Sequence, residues 1–375
     1  MKIFLVAGAR PNFMKIAPLF CQLREQSRVR PVLVHTGQHY DDVMSRAFFQ
    51  DLELSPPDVN LGVGSGRQAQ QTGRIMVNFE RLVLNERPDL VVVVGDVNST
   101  VACSLVAVKL SIPVAHVEAG LRSFDRRMPE EINRVLTDSI SDYLFTTCTD
   151  ANENLLREGI PSEKIFFVGN VMIDTLLKFR KKSRSSPIME RLKLQRREYV
   201  LLTLHRPSNV DQAETFKGIL RAVETIQRGM PVVFPMHPRT RKMWRQFGLQ
   251  DEVTRLPHLQ VIDPLGYIDF LRLMDSARLV LTDSGGIQEE TTVLGVPCLT
   301  LRKNTERPIT VRQGTNRVVG SNSERIIEEA DVILKKGTRK PHRPKFWDGR
   351  AAHRIVEVLL KTMKRPRASE KRRRT

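Results

Sequence analysis

The 375-residue sequence contains no apolar run that approaches the ~18 residues of a membrane-spanning helix. Its start, MKIFLVAGARP, leads directly into a strand and a turn, without the cleavage pattern of a secretory signal peptide. The four cysteines lie far apart in apolar surroundings, which favours small buried side chains over disulfides or a CxxC metal site. These absences argue against a membrane or disulfide-stapled protein and predict a cytoplasmic one.

Several catalytic and nucleotide-binding motifs are also missing. The sequence has neither a GxxxxGK[ST] phosphate loop nor an HExxH zinc motif. His116 and Glu118 form the HxE of zinc deaminases, but the PCxxC partner of that motif is absent. We therefore predict an enzyme that works with no bound metal and no cofactor.

The net charge of +18 raises the question of a nucleic-acid partner, because basic surfaces bind phosphate backbones. The last fifteen residues, KTMKRPRASEKRRRT, hold eight basic residues and one glutamate, so +7 of that charge lies in a predicted disordered tail. The segment FRKKSRSSP (179–187) is typical of a solvated surface loop. We predict no specific nucleic-acid partner and no membrane contact. The positive net charge is explained by binding of an acidic small-molecule substrate and by solubility.

The chain is long enough for two domains, and its pattern of elements repeats. Near-continuous Val/Ile/Leu strands alternate with amphipathic helices, which is typical of parallel sheets covered on both faces. The predicted fold is α/β, with two Rossmann-like doubly wound sheets on either side of a cleft. We place the domains at 1–172 and 173–350, a C-terminal helix at 351–364 and the tail at 365–375.

The segment LVLTDSGGIQEE predicts an anion site. A strand ends at Thr282. The next residues include Ser284, Gly285 and Gly286, which form a turn of small side chains. The helix that follows has free backbone N–H groups at its start. Glu290, one turn into that helix, could accept hydrogen bonds from ribose hydroxyls. The alternative is an ordinary strand-to-helix turn in which the glutamate only supports the helix dipole.

The first loop, GARPNFMK, places two cations at the start of a helix. Arg10 and Lys15 there could hold a second phosphate, since arginine binds phosphate with two parallel hydrogen bonds. A solvated helix start would leave the same pattern. Two histidines, His205 in LTLHRP and His237 in FPMHPR, each follow a strand of the second half of the chain. A single histidine at the end of a strand more often has a structural role. Two histidines at corresponding positions of two strands favour a functional role.

Acidic side chains follow two strands of the first half of the chain. Asp96 ends VVVVGD, Glu118 ends VAHVE, and RRMPEEINR adds Glu130, Glu131 and Arg134. Neighbouring parallel strands end at one edge of a sheet, so these carboxylates should lie close together. Crowded carboxylates separate in pKa, which yields an acid and a base.

Eleven short motifs in their order along the chain resemble those of the non-hydrolysing UDP-N-acetylglucosamine 2-epimerases. They are GARPNFMK, TGQHYD, VGDVNST, HVEAGLRS, MPEEINR, VGNVMIDTL, LTLHR, PMHPRT, DSGGIQEE, LGVP and NTERPI. The resemblance spans about residues 1–365. It implies a GT-B fold and the interconversion of UDP-GlcNAc and UDP-ManNAc for polysaccharide biosynthesis.

The resemblance also implies a mechanism: UDP leaves C1 as the C2 proton is lost, and then adds back to enzyme-bound 2-acetamidoglucal. The catalytic residues it implies are Asp96, Glu118, Glu131 and His205. The residues it implies for UDP-sugar binding are Arg10, Lys15, Arg134, His237, Phe270, Ser284, Gly285, Gly286, Glu290 and Arg307.

Two further properties follow from the resemblance alone. Family members are commonly homodimers, and some bacterial members bind a second UDP-GlcNAc as an activator. The Gln-His and Arg-Gln pairs of that second site correspond to Gln38, His39, Arg67 and Gln68. We expect a homodimer and keep this activator site as a hypothesis.

Other activities stay open at this stage. Ala9 and Asn12 stand where the family more often has Thr and Glu, as in branches acting on related sugars, so a 2-epimerase of UDP-2,3-diacetamido-2,3-dideoxyglucuronate is the nearest alternative. A hydrolysing 2-epimerase would favour GDR over Gly8-Ala9-Arg10. A GT-B glycosyltransferase would need an acceptor and would not require three clustered carboxylates.

Overall fold

The computed structural model describes residues 1–38, 49, 51–250, 256–337 and 342–363. Its strands form two sheets, and every strand pair within them is parallel. Helices cover the sheets, so the predicted α/β fold with two doubly wound sheets is confirmed. No helix within these ranges is both long and apolar enough to cross a membrane.

The first sheet has seven strands in the order β3-β2-β1-β4-β5-β6-β7. The strands are β1 (Lys2–Ala7), β2 (Arg30–His35), β3 (Val59–Asn60), β4 (Leu90–Val94), β5 (Val114–Ala119), β6 (Tyr143–Thr146) and β7 (Ile165–Phe167). The helices are α1 (Arg10–Arg24), α2 (Gln68–Glu86), α3 (Asn98–Lys109), α4 (Pro129–Ile140) and α5 (Thr149–Arg157), with a 3-10 turn at Ser162–Lys164. β4 and β5 are buried along their whole length, as their apolar sequences predict.

The second sheet has six strands in the order β10-β9-β8-β11-β12-β13. The strands are β8 (Val200–Thr203), β9 (Val232–Pro235), β10 (Leu259–Ile262), β11 (Leu279–Thr282), β12 (Cys298–Thr300) and β13 (Asn316–Val318). The helices are α8 (Pro207–Val210), α9 (Ala213–Gly229), α10 (Pro238–Gln246), α11 (Tyr267–Ser276), α12 (Gly285–Leu294), α13 (Pro308–Arg312) and α14 (Ser323–Lys336). The strand order reverses between β1 and β4 and again between β8 and β11, and ligands bind at such reversal points in open sheets.

Helices between and after the two sheets join them. α6 (Val171–Ser183) packs against α1 on one side and against α11 and α12 on the other. The short α7 (Ile188–Arg191) follows it, and α15 (Ala351–Thr362) returns to pack on α1. Asp174 of α6 accepts hydrogen bonds from the backbone N–H groups of Ala351 (3.1 Å) and Ala352 (2.7 Å) at the start of α15.

The surface loop predicted for residues 179–187 is wrong over its first half. α6 continues to Ser183, and Phe179 is buried in the core shared by both sheets. Of the three cations that follow Phe179, Lys181 and Lys182 are exposed to solvent, whereas Arg180 is partly buried and ion-paired with Asp275. Charge density described the exposed face correctly but did not reveal the helix. The tail at 365–375 lies outside the described residues.

Candidate active site

Most of the predicted site residues lie at or after the carboxyl ends of the strands β1, β4, β5, β8, β9, β11 and β12. Arg307 with Glu118 and Arg206 with Glu130 form contacts between the two halves of the chain there. Asp96 follows β4, and its carboxylate, about one quarter exposed, is ion-paired with Arg134 of α4. Asn133 Nδ2 donates to the backbone oxygen of Asp96 at 2.9 Å. Burial opposes ionisation of Asp96, but the charges of Arg134, Lys15 and Arg307 outweigh it and hold the pKa below its usual value. Asp96 is therefore a carboxylate at neutral pH.

Glu118 lies within β5, where the register to β6 shifts between Val117 and Ala119. Its backbone has a left-handed φ of +72°, which is rare for a residue with a side chain. The buried carboxylate is ion-paired with Lys15 of α1, and Arg307 Nη2 of the second domain lies 3.6 Å from Oε1. This bulge directs Glu118 at cations from both domains.

Glu131, in the first turn of α4, has both carboxylate oxygens occupied. It accepts hydrogen bonds from the Ser123 hydroxyl (2.9 Å), from the backbone N–H groups of Ser123 (2.9 Å) and Phe124 (2.9 Å), and from Arg134 Nη2 (2.6 Å). Burial raises its pKa, but these donors together lower it. Glu131 thus holds the 123–124 turn and orients Arg134 towards Asp96.

Arg307 lies at the centre of a buried group of carboxylates. The sequence did not predict that these carboxylates lie together. Its Nε lies 2.9 Å from Glu289 Oε1, and it is ion-paired with Glu306, which Arg302 Nη1 approaches at 2.8 Å. Burial raises the pKa of Glu289 to about 7, with Glu118 adding to the effect and Arg307 opposing it. The pKa of Glu306 is instead held well below its usual range, because Arg307 and Arg302 outweigh burial.

His205 follows β8 and is held by Asp283, which follows β11. His205 Nδ1 lies 2.9 Å from Asp283 Oδ1. The fully buried Asp283 also accepts the backbone N–H groups of His205 (3.0 Å) and Arg206 (2.9 Å), and its pKa is low because these contacts outweigh burial. An ionised Asp283 makes Nδ1 the donor, which leaves Nε2 of His205 for a ligand.

His237 lies beside His205, with ring centroids 5.7 Å apart. Its Nδ1 accepts the backbone N–H of Arg239 at 3.2 Å and thereby caps α10. The two strand-end histidines of the second domain are therefore neighbours, as their matching positions predict.

The Ser284-Gly285-Gly286 turn leads from β11 into α12, as the sequence predicts. A Cβ atom on Gly285 would overlap Arg307 Nη1 and lie 2.7 Å from Glu306 Oε1. Glycine is required because the guanidinium of Arg307 lies directly against the backbone. The first N–H groups of α12 therefore lie beside the guanidinium of Arg307, which is itself paired with buried carboxylates.

Glu290 is buried in α12, and its Oε1 accepts the hydroxyl of Tyr267 at 2.9 Å. Burial raises the pKa of Glu290 to about 8; the charge of Glu289 adds to this and the Tyr267 hydrogen bond opposes it. Phe270 lies on the same helix as Tyr267, α11, and is partly buried. Glu290 and Phe270 thus share one side of the second domain.

The remaining predicted residues belong to the first half of the chain. Arg10 begins α1, but its side chain lies outside the described part of the structure, as does the whole of His39. Gln38 is buried, and its Oε1 accepts the Ser99 hydroxyl at 2.7 Å. Arg67 and Gln68 are exposed at the start of α2. The activator site stays a prediction.

Three carboxylates of the site were missed by sequence reasoning, namely Asp283, Glu289 and Glu306. Asp283 follows a strand as Asp96 does, and that signal could have identified it. Glu289 and Glu306 could not be found from local pattern, because Arg307 alone brings them together.

Comparisons with known proteins identify the family to which the chain is similar. The family model for UDP-N-acetylglucosamine 2-epimerase matches residues 21–360. The UDP-N-acetylglucosamine 2-epimerase of Methanocaldococcus jannaschii is 45% identical over 366 residues, which is 96% of this chain and 99% of that protein. The UDP-2,3-diacetamido-2,3-dideoxy-D-glucuronate 2-epimerase of Pseudomonas aeruginosa is 43% identical over 364 residues, covering 96% and 100% of the two chains.

A solved structure extends the match to three dimensions. The crystal structure of the M. jannaschii UDP-GlcNAc 2-epimerase in complex with UDP-GlcNAc and UDP has a TM-score of 0.90 at 44% identity, covering 96% of this chain and 100% of that one. The UDP-GlcNAc 2-epimerase of Neisseria meningitidis bound to UDP-GlcNAc gives 0.87 at 32% identity, with 96% and 100% covered. The resemblance and the GT-B-like fold are thereby confirmed, and the chain belongs to the UDP-N-acetylglucosamine 2-epimerase family of isomerases.

Proposed function

We propose that the protein catalyses the reversible 2-epimerisation of UDP-N-acetylglucosamine to UDP-N-acetylmannosamine. The observation that carries the proposal is the position of Arg307. Its guanidinium lies 3.6 Å from Glu118 on one side and against the backbone of Gly285 on the other. A sugar whose C1 carries a diphosphate at the Gly285 turn would therefore have its C2 close to Glu118 and Asp96.

Inversion at C2 needs the proton to leave one face of the sugar and to return on the other. We assign these two proton transfers to Asp96 and Glu118. As a carboxylate takes the C2 proton, the C2–H electron pair forms the C1=C2 double bond and the C1–O pair leaves with UDP. The product is bound 2-acetamidoglucal. The second group must therefore hold a proton when the substrate binds: UDP adds back to C1 as this acid delivers its proton to the opposite face of C2, and the two groups end with exchanged protonation states.

UDP must remain bound through the intermediate, and the second domain supplies the groups for this. The α12 N-terminus at Ser284, Gly285 and Gly286 presents backbone N–H groups to a diphosphate. His205 is oriented by Asp283 through Nδ1, and when its ring is doubly protonated it donates from Nε2 to the departing phosphate oxygen. Glu131 acts in this scheme by holding Arg134 beside Asp96.

The ion pairs favour a neutral sugar over a sugar carboxylate. Lys15 pairs with Glu118, Arg134 with Asp96 and Glu131, Arg302 with Glu306, and Arg307 with Glu289 and Glu306. These cations are shared with carboxylates before any ligand arrives. A third ligand charge, beyond the two phosphates, would compete for the same groups, so UDP-GlcNAc fits better than a UDP-glucuronate derivative.

The reaction can be tested by incubating the protein with UDP-GlcNAc in D2O, with EDTA and without nicotinamide. We expect a new manno anomeric signal and deuterium at C2 in proton NMR. UDP-glucose, which lacks the 2-acetamido group, serves as the negative control, and UDP-2,3-diacetamido-2,3-dideoxyglucuronate is run in parallel. Free N-acetylmannosamine, turnover only with an added acceptor, or exchange only with the glucuronate would each contradict the proposal.

UDP affinity should rise with pH between 7 and 9. Glu290, with a pKa of about 8 in the ligand-free protein, is largely protonated at pH 7, whereas ribose hydroxyls donate best to the carboxylate. Binding therefore releases a proton, and Kd should fall as pH rises, by up to about tenfold per pH unit below pH 8. Calorimetry in two buffers of different ionisation enthalpy measures both Kd and the proton released.

Two variants serve as controls for this pH effect. Glu290→Gln should weaken UDP binding at pH 9 by about 10- to 100-fold, the effect of one lost charge-assisted contact, and should flatten the pH dependence. Tyr267→Phe removes a hydroxyl that lowers the Glu290 pKa, so the midpoint should move upwards. A flat Kd between pH 7 and 9 in the wild-type protein would remove Glu290 from the nucleotide site.

A further inference from the structure

His116 lies on β5, two residues before Glu118, and is completely buried. Both of its ring nitrogens face hydrogen-bond acceptors. Nε2 lies 2.8 Å from the backbone oxygen of Gly95, and Nδ1 lies 2.6 Å from Asp138 Oδ1. The reaction scheme above does not use either His116 or Asp138.

These contacts determine where the protons lie. The Gly95 carbonyl can only accept, so Nε2 must carry a proton, and a second proton lies between Nδ1 and Asp138. Asp138 Oδ2 accepts the backbone N–H of Gly120 at 3.0 Å and is ion-paired with Arg122 Nη2 at 2.7 Å. Although burial raises the pKa of Asp138, His116 and Arg122 outweigh it and keep that pKa low. The Arg122 guanidinium and the Gly120 N–H both need Asp138 as an acceptor, so these contacts favour a carboxylate on Asp138 and the shared proton on Nδ1 of His116.

The pair contacts the backbone next to both reacting carboxylates: His116 donates to the Gly95 oxygen, and Asp138 accepts from the Gly120 N–H. Gly95 immediately precedes Asp96 and has a φ of +68°, and its N–H donates to the Val117 oxygen at 3.0 Å. Gly120, held by Asp138, follows Glu118 by two residues and has a φ of +78°. The left-handed backbone at Glu118 lies between these contacts. Such a conformation persists only when the surroundings hold it.

We propose that His116, as an imidazolium paired with Asp138, is a positioning residue that fixes the turn carrying Asp96 and the bulge carrying Glu118. The proposal rests on the proposed function, because it concerns the two carboxylates assigned to proton transfer at C2. The charged ring donates to the turn on one side, and its carboxylate partner accepts from the bulge on the other. Loss of either contact lets both catalytic side chains move relative to C2.

Kinetics of two conservative variants test the positioning role. Asp138→Asn removes the charge but keeps the shape, and His116→Gln keeps one donor for the Gly95 oxygen. Each should lower kcat for UDP-GlcNAc by about 10- to 100-fold, the effect of sub-ångström to 1 Å misplacement of reacting groups. KM and the UDP affinity should stay within about threefold, because the diphosphate turn belongs to the second domain.

Asp174→Asn is the matched control. Asp174 is also a buried carboxylate of the same core that accepts two backbone N–H groups, but it caps α15. Asp174→Asn should have the kcat of the wild-type protein, even if its melting temperature falls as much as the melting temperature of Asp138→Asn. Equal kcat in all three variants and the wild-type protein would overturn the positioning role.

A second measurement uses the wild-type protein and needs no variant to fold. Nitrogen-15 NMR of selectively labelled histidines should show one buried ring with both nitrogens protonated, as its two acceptor contacts require. A neutral His116 ring would overturn the proposal even if turnover is normal. A wild-type protein that epimerises no UDP-sugar would instead overturn the proposed function, so the two failures are distinguishable.

Discussion

Asp96→Asn and Glu118→Gln are each expected to lower epimerase turnover by about two to four orders of magnitude, the usual contribution of an acid or base group. Each substitution keeps the size of the side chain and one acceptor oxygen, but it replaces the other oxygen by an NH2 donor and removes the ability to take the C2 proton. UDP should still bind, because the diphosphate turn and Glu290 lie in the second domain. Turnover is measured by C2 deuterium incorporation and UDP binding by calorimetry.

The two variants should differ in stability, because the cations next to Asp96 and Glu118 differ in their other partners. Asp96 is partly exposed and shares Arg134 with Glu131, so Arg134 keeps a partner in Asp96→Asn. Glu118 is buried against Lys15 and Arg307, so Glu118→Gln leaves Lys15 without its carboxylate. We therefore expect a larger drop in melting temperature for Glu118→Gln. Near wild-type turnover in either variant would make its catalytic assignment wrong.

Asp275→Asn provides the matched control for these variants. Asp275 is a mostly buried carboxylate paired with Arg180 at 2.9 Å, which resembles the pairing of Asp96 with Arg134 but is formed between α11 and α6. Its loss should affect stability and leave turnover within about twofold. A turnover loss equal to that of Asp96→Asn would show that carboxylate deletion acts through the fold.

Strand ends made the fold and part of the site predictable from the sequence. Buried Val/Ile/Leu strands stop at polar residues, and the carboxyl ends of parallel strands share one edge, so Asp96 and Glu118 were expected to be neighbours. The Ser284-Gly285-Gly286 turn was predicted because glycine before a helix start is a local pattern. In both cases the information lies within a few residues of sequence.

Other features depend on contacts between distant parts of the chain. The left-handed φ of Glu118 needs an anchor from Asp138, twenty residues further on, and nothing in VAHVEAG indicates it. α6 was missed beyond residue 179 because its charged face dominates the composition while Phe179 supplies the buried one. A run of charged residues in the sequence indicates the exposed face of a helix. The hydrophobic core is formed by the opposite, apolar face of the same helix, which the charged run hides.

Arg307→Ala should unfold the site as well as abolish UDP binding. Arg307 is the shared partner of Glu118, Glu289 and Glu306, all of which are buried. Removing one member of a buried ion pair leaves an uncompensated charge and typically costs about 3 to 5 kcal/mol. Glu118 keeps Lys15 and Glu306 keeps Arg302, whereas Glu289 loses the cation of its ion pair, so the loss of unfolding free energy should lie within that range. Urea denaturation measures it.

The pH dependence of this destabilisation separates charge from packing. In the wild-type protein Arg307 and Arg302 hold the pKa of Glu306 low, so the stability from this group is present above the unfolded pKa and is lost in acid. Without Arg307, burial dominates and the carboxylate pKa values rise, so the variant gains stability as pH falls. The difference in melting temperature between wild-type and variant should therefore shrink from pH 8 to pH 5.

Arg317→Ala is the control for this comparison. Arg317 is paired with Glu329 in the same domain, but both side chains are at least one third exposed, and a pair of this kind contributes up to about 1 kcal/mol. Its effect should be small at both pH values. If Arg307→Ala were equally mild, or if its deficit were the same at pH 5 and pH 8, the carboxylates around Arg307 would not depend on its charge. Packing alone would then hold Arg307 and its carboxylates in the site.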